Sequence, residues 1–310
     1  MKGATTVAEG SPTVRRRELG ALLRKLREDQ GMSVKQVTEH LMCSPSKVSR
    51  IETGQRGATL RDVRDLCDLY GVADVAARDR LMTLAREGKH QGWWQSYDLP
   101  YSNYVGLEAE ATSISGFHSS VVPGLLQTAD YARAIHEAAV PEVSTPELTP
   151  EIINQRVEAR IRRQAVLEKQ ESLKFSAAVD EAVLHRLVGG RAVMSAQLRH
   201  LAEMATLPNV RIRVIPYSAG AHPALESTFY ILDFADAVPS VVYVEGLVGW
   251  IYLERSEDLD RYRRVYERVV DMALSPEKSV DFITDMSRSS SGSLNMQTER
   301  ADQLESSADK

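Results

Sequence analysis

The sequence predicts a chain in two parts: an all-α head of five helices, then an α+β body with a mixed sheet of five or six strands. Three observations predict this. The 310 residues are enough for about two domains. From Val14 to about Glu87 apolar residues recur at helical spacing, punctuated by capping residues. Beyond residue 107, short β-branched and aromatic runs alternate with helical stretches and crowd toward the end of the chain.

Residues 1–13 are rich in Gly, Ser, Thr and Pro and are expected to be disordered. The head spans 14–87. Leu19, Leu22, Leu23 and Leu26 fall at i, i+3, i+4 and i+7, the stripe of an amphipathic helix that Gly31 ends. Ser33 caps a second helix, and Gln36 three residues on completes a capping box. Ser44 followed by Pro45 starts a third, only Met42, Cys43 and Ser44 separating it from the second. Gly54 closes it. Thr59 caps a fourth helix, with Asp62 in its first turn and Gly71 at its end, and residues 74–87 read as a fifth. Residues 88–106 form an aromatic-rich connection. Its Trp93, Trp94, Tyr97, Tyr101 and Tyr104 are too apolar for water and are expected to pack against the second domain.

The body spans 107–286. Leu107–Ser115 reads as helix and Gly116–Val121 as a short strand. Thr128 caps a helix to about Ala138, and Thr149-Pro150 starts a long one from Glu151 to about Glu171. Leu173–Val179 reads as a strand, followed by helices near 180–187 and 191–206. Strands are expected at Val210–Pro216, Thr228–Phe234, Val241–Glu245 and Trp250–Leu253. Ser256 caps a long helix to about Leu274, and a last helix runs near 276–286. Residues 287–310 are Ser-rich, poor in apolar residues, and expected to be a disordered tail.

Composition narrows the function classes. The chain is 43% hydrophobic, 26% charged and 6% aromatic, as globular proteins are. Its longest apolar runs, such as Val238–Val244, are too short to span a membrane, and the N-terminus has no apolar core of a secretory signal. Cys43 and Cys67 alone make neither a disulfide framework nor a thiolate zinc site. A cytoplasmic protein without metal or cofactor is expected. The net charge of −5 hides an asymmetry: residues 1–56 hold 11 Lys+Arg against 6 Asp+Glu, and the rest 27 against 37. A basic head on an acidic body suits a head that meets a polyanion.

Residues 33–54, SVKQVTEHLMCSPSKVSRIETG, have the spacing of a helix-turn-helix. Val37, Leu41, Cys43, Val48 and Ile51 fall where two crossed helices bury side chains against each other. Pro45, Ser46, Lys47, Ser49 and Arg50 then face outward. Small residues let a helix approach base edges, and a guanidinium can bond guanine O6 and N7 together. Pro45, Ser46, Ser49 and Arg50 are therefore the candidate base contacts. Lys35, Gln36, Ser44, Lys47 and Arg56 suit phosphates. Such heads usually bind as dimers, so the expected partner is a palindromic double-stranded operator met by a homodimer.

This segment resembles the Cro/phage-repressor (XRE) type of helix-turn-helix through Ser33, Gln36, Ser44, Val48, Ser49, Ile51, Glu52 and Gly54. It departs at Val34, Thr38 and Met42, where family members usually have Gln, Ala and Gly. Further on, GWWQSY, YVGLEAEATSISGFHSSVVPGLLQTADYARAI, RVEARIRRQAVL, DEAVLHRLVGG and QLRHLAEMATLPNVRIRVIPYSAGAH resemble the C-terminal domain of actinobacterial WhiJ-type, antitoxin-like XRE regulators. The resemblance runs from about 15 to 285. It implies a transcription regulator, often encoded beside a small partner protein, and carries no assigned chemistry for the body.

The body has its own candidates. Arg156, Arg160 and Arg163 lie at i, i+4 and i+7, suiting an acidic partner or anionic ligand, or forming a solvated face paired with Glu151 or Glu158. Asp180, Glu181 and His185 suit a cap and surface role better than a metal site. His222 lies in a Gly-containing loop between strands, where it orders the loop or touches a ligand; no nucleophile context accompanies it, and no enzyme is expected. Residues 123–128, PGLLQT, read as a turn feeding a capped helix. Two other readings make the body an antitoxin-like module that sequesters a small protein, or a small-molecule sensor.

Overall fold

A computed structural model of the chain describes residues 11–138, 149–168, 173–235, 238–246 and 249–288. Residues 1–10 and 289–310, which hold most of the two expected disordered ends, lie outside the described residues. Ser11, Pro12 and Thr13 depart from that expectation: they are buried at the start of the first helix. The chain divides into two units, residues 1–112 with 233–240, and residues 113–232 with 241–310.

The first unit holds the five expected helices: α1 Pro12–Asp29, α2 Val34–Leu41, α3 Pro45–Glu52, α4 Leu60–Leu69 and α5 Val75–Glu87. Their apolar stripes meet in one core that includes Leu19, Leu23, Val37, Val48, Ile51, Val63, Leu66 and Leu81. Both capping boxes form, at Ser33/Gln36 and at Thr59/Asp62, and Asp74 caps α5. These caps are local chemistry, each satisfying amide donors that the first helical turn leaves without partners.

The aromatic connection, expected with the second domain, belongs to the first unit. It folds into a short 3-10 turn, Trp93–Ser96, and a helix α6, Ser102–Glu108. Trp94 is buried beside Gly106, and Gly106 sits so close to Thr13 that no Cβ would fit; its carbonyl accepts a 2.6 Å bond from the Ser11 hydroxyl. Residues 107–115, expected helical, therefore split between the end of α6 and the start of a strand.

The second unit is a six-stranded sheet with helices. Its strands are β1 Ser113–His118, β2 Lys174–Asp180, β3 Val210–Ile215, β4 Phe229–Asp233, β5 Val241–Gly246 and β6 Gly249–Leu253. The helices are α7 Ala129–Glu137, α8 Pro150–Arg163, α9 Glu181–His185, α10 Gly190–Met204, α11 Ser256–Met272 and α12 over 276–288. The strand order is β3-β2-β1-β4-β5-β6. β1, β2 and β3 are parallel, joined by α7–α8 and α9–α10; β4, β5 and β6 form an antiparallel meander. Thr112 bonds Asp233 while Ser119 bonds Thr228, so β4 runs antiparallel to β1 and the sheet is mixed, as expected.

The pleat sorts the side chains. Ile114, Phe175, Ala177, Val179, Val210, Ile212 and Val214 are buried on one face. On the other, Phe117, Ala178, Ile215, Phe229, Ile231 and Val242 form a core with Tyr262, Val265, Tyr266 and Val269 of α11. The outer edge of β3 is clasped at Val214, whose amide donates to Ser279 Oγ at 2.9 Å and whose carbonyl accepts from Leu274 at 2.8 Å.

Candidate nucleic-acid interface

The interface is built from α2, the turn after it, and α3. Gln36 N–H donates to Ser33 Oγ at 3.3 Å and Ser33 N–H to Gln36 Oε1 at 2.8 Å, which fixes the start of α2. α2 ends on Met42, in left-handed backbone at φ 48° and with 92% of its surface exposed. A glycine would take that conformation without strain; here a methionine holds it. Pro45, with no amide hydrogen and a fixed φ, opens α3.

Long-range contacts anchor α3. α1 passes so close that a Cβ on Gly20 would overlap the carbonyl oxygens of Ile51 and Glu52. Arg27 of α1 grips Glu52 with both ends of its fork, Nε at 2.7 Å and a terminal nitrogen at 3.0 Å, and also donates to the Met32 carbonyl at 2.9 Å. The bond to Glu52 holds the Arg27 guanidinium above its ordinary pKa range against the opposing effect of burial. Gly54, at φ 69°, packs against the Arg17 backbone. Lys47, expected on a phosphate, instead places its ammonium 2.6 Å from Asp62 in the capping box of α4. Burial alone would raise the Asp62 carboxyl; the Lys47 and Thr59 hydrogen bonds outweigh it and bring it below the ordinary range.

With its inner face so held, α3 leaves Ser44, Pro45, Ser46, Ser49 and Arg50 exposed together. Arg50 lies back along its own helix, Nε 3.1 Å from the Ser46 carbonyl and a terminal nitrogen 3.4 Å from Ser46 Oγ. Ser44 does not cap α3; its hydroxyl meets Ser46 Oγ at 3.0 Å. Pro45 has no amide hydrogen and the Lys47 amide donates to the Ser44 carbonyl at 2.9 Å, so in the first turn of α3 it is the Ser46 amide that suits a phosphate. Lys35 is exposed and 3.9 Å from Glu39, Arg56 is exposed, and Gln36 uses its carbonyl in the capping box while keeping its NH2 as a donor.

In the body the three arginines are not a solvated face. Arg156 and Arg163 are buried, 8% and 4% exposed, and Arg160 donates to Gln127 Oε1 at 2.9 Å. Arg160 and Arg163 lie beside Gly124 in a scaffold that holds residues 123–128 as the expected turn, and Arg156 acts on His136. Gln127 donates to the Val122 carbonyl at 2.7 Å, Gln164 to the Gln127 carbonyl at 2.6 Å and Gln197 to the Leu126 carbonyl at 2.6 Å. His222 Nδ1 accepts from the Ala224 amide at 3.3 Å, while its buried Nε2 lies 3.5 Å from Asp180 without a hydrogen bond. That arrangement orders the loop. Glu181 ties His185 at 3.1 Å and the Tyr217 amide at 2.7 Å, while Asp180 caps α9. Among the described residues no three His, Cys, Asp or Glu side chains converge as metal ligands.

Two buried histidines escaped the sequence reading. His118, at the end of β1, is 1% exposed and edge-on to Tyr230 at 4.9 Å, and neither ring nitrogen has a hydrogen-bond partner. Burial pushes its pKa down to about 3. His136 on α7 is pushed down to about 4 by burial and by the charges of Arg160 and Arg156. No spacing marks either one; burial in the folded sheet and helices defines them.

Residues 18–81 match the family model of a helix-turn-helix domain, and residues 101–285 match that of a domain of unknown function, DUF5753. Comparison with curated proteins and with solved structures finds no match.

Proposed function

The chain belongs to the DUF5753 family, and on that premise we propose that it is a sequence-specific, DNA-binding transcription regulator that acts as a homodimer on a palindromic operator. The observation that carries this is the outer face of α3. It is small, polar and basic, free of acidic side chains over Ser44–Arg50, and mounted on a helix fixed by Gly20, Arg27–Glu52 and Lys47–Asp62. Pro45, Ser46, Ser49 and Arg50 enter the major groove, with Arg50 reading a guanine. Lys35, Gln36, Ser44 and Arg56 take phosphates, and Lys47 serves as the anchor of α3. One head makes too few contacts for tight binding, so two half-sites about one helical turn apart are required.

The body then dimerises, binds a partner or senses an effector. The motifs shared with WhiJ-type, antitoxin-like regulators favour a small protein encoded nearby as that partner. No helix among the described residues is long and apolar enough to cross a membrane, in keeping with a protein that works on DNA in the cytoplasm. Genome-wide immunoprecipitation of the tagged protein, beside its Arg50→Ala variant, tests the reading. Discrete peaks that share a palindrome and vanish in the variant are expected. Absence of any enriched sequence would remove it.

A further inference from the structure

We propose that the hollow over the amino-terminal ends of β1, β2 and β3 binds a phosphate-bearing small molecule of about nucleotide size. The hollow follows from the pleat. In register across the sheet, Ser113 stands beside Lys174, Ser115 beside Ser176 and Arg211, and Phe117 beside Ala178 and Arg213. All of these lie on one face, the face that α11 covers. Its carboxyl-terminal half is apolar and buried under α11 through Phe117, Ala178 and Ile215. Its amino-terminal half carries three serines, Lys174 and Arg211 instead, with Arg213 at the boundary between the halves, and remains open as a cavity of about 530 Å³.

Strand positions on a covered face ordinarily carry branched or aromatic side chains. Serine at 113, 115 and 176 leaves the space unfilled and lines it with hydroxyls. Tyr266 of α11 donates to Ser176 Oγ at 2.8 Å and marks where the packed half begins. Asn209 at the rim donates to the Leu167 and Leu173 carbonyls, at 3.0 and 2.9 Å, so the wall before β3 is fixed without a ligand.

The charge points to the ligand. Among the described residues none of Lys174, Arg211 and Arg213 forms an ion pair; the acid Arg213 and Arg211 act on through space is the exposed Glu277. Three cations thus gather in a part of the chain that otherwise carries an acidic excess. Guanidinium forks bind two phosphate oxygens at once, the ammonium adds a point charge, and serine hydroxyls complete the shell. The volume lies in the range of small-molecule sites.

This inference stands apart from the reading of α3, because binding here is measured on the full chain without DNA. Calorimetric titration with pyrophosphate and with ADP, and with citrate at matched ionic strength, is the test. Lys174 and Arg211 are both exposed, so the double variant K174Q/R211Q keeps the melting temperature of the unliganded protein. Saturable binding of pyrophosphate or ADP, weakened about tenfold or more in the double variant, is expected. Three results would each overturn the proposal: no saturable binding at millimolar concentration, equal binding by the double variant, or citrate bound as tightly as pyrophosphate.

Discussion

Arg27 and Glu52 lie 25 positions apart and meet through two hydrogen bonds at a site where each side chain is about nine-tenths buried. Removing one partner leaves the other charge buried without compensation, which costs about 3–5 kcal/mol. Glu52→Ala is therefore expected to lower the stability of the head by that order in urea denaturation, although Glu52 touches no base. Arg50→Ala acts in the opposite sense. It leaves stability unchanged, weakens the specific complex by roughly 1–3 kcal/mol, and relaxes preference at one base pair. Equal loss on specific and random duplexes, measured by fluorescence anisotropy, would refute the base contact. Both residues were visible in the sequence, Glu52 as a feature shared with XRE heads and Arg50 as an outward cation. Only Arg50 was given a role there, because the partner of Glu52 comes from another helix and spacing does not reveal it.

Elements divide by how local their causes are. α2 and α4 start where their capping boxes predict, since a cap needs only its own first turn, and α3 starts at Pro45 although Ser44 makes no side-chain cap. β1 begins three residues before its expected start. Its Ser113, Ser115 and Gly116 are weak strand formers, and the strand exists because β2 and β4 pair with it on either side. α8 gives way to a 3-10 turn, Gln164–Leu167, well before the expected end, and Gln164 there donates to the turn at Gln127 rather than continuing the helix. The turn between α2 and α3 holds a left-handed methionine, for which the conformation costs about 1 kcal/mol. Met42→Gly is expected to raise the unfolding free energy by about that much, read as a higher urea midpoint at an unchanged slope; a lower midpoint would show that the Met42 side chain stabilises the turn.

At the scale of the molecule, the head and the body respond to different solution variables. Contacts to phosphates release counterions, so Lys35→Ala and Arg56→Ala are each expected to reduce the salt slope of DNA binding by about one. Lys47→Ala leaves that slope unchanged, because its ammonium is already on Asp62; a slope reduced by one would restore Lys47 to the phosphates. The body is acid-sensitive. His118 and His136 take up protons only near pH 3 and pH 4 in the folded state, whereas the unfolded chain does so near 6.5. Their contribution to stability is complete above about pH 6.5 and drains away as pH falls toward those folded values. The melting temperature is expected to fall across that window, with each histidine contributing on the order of 1 kcal/mol per pH unit. His118→Phe flattens the curve. An identical acid profile in that variant would clear His118 of the effect.

The clasp at Val214 gives the sheet a direction of growth. With Leu274 and Ser279 bonded to the backbone of β3 there, that border offers an incoming chain an interrupted row of donors and acceptors. The opposite border is β6, whose Trp250 and Ile251 are exposed and whose pairing among the described residues is with β5 alone. Any strand recruited in trans, whether from a second copy in a functional pair or from a misfolded neighbour in an aggregate, therefore joins along β6. A lysine placed at position 251 would discourage both events at once.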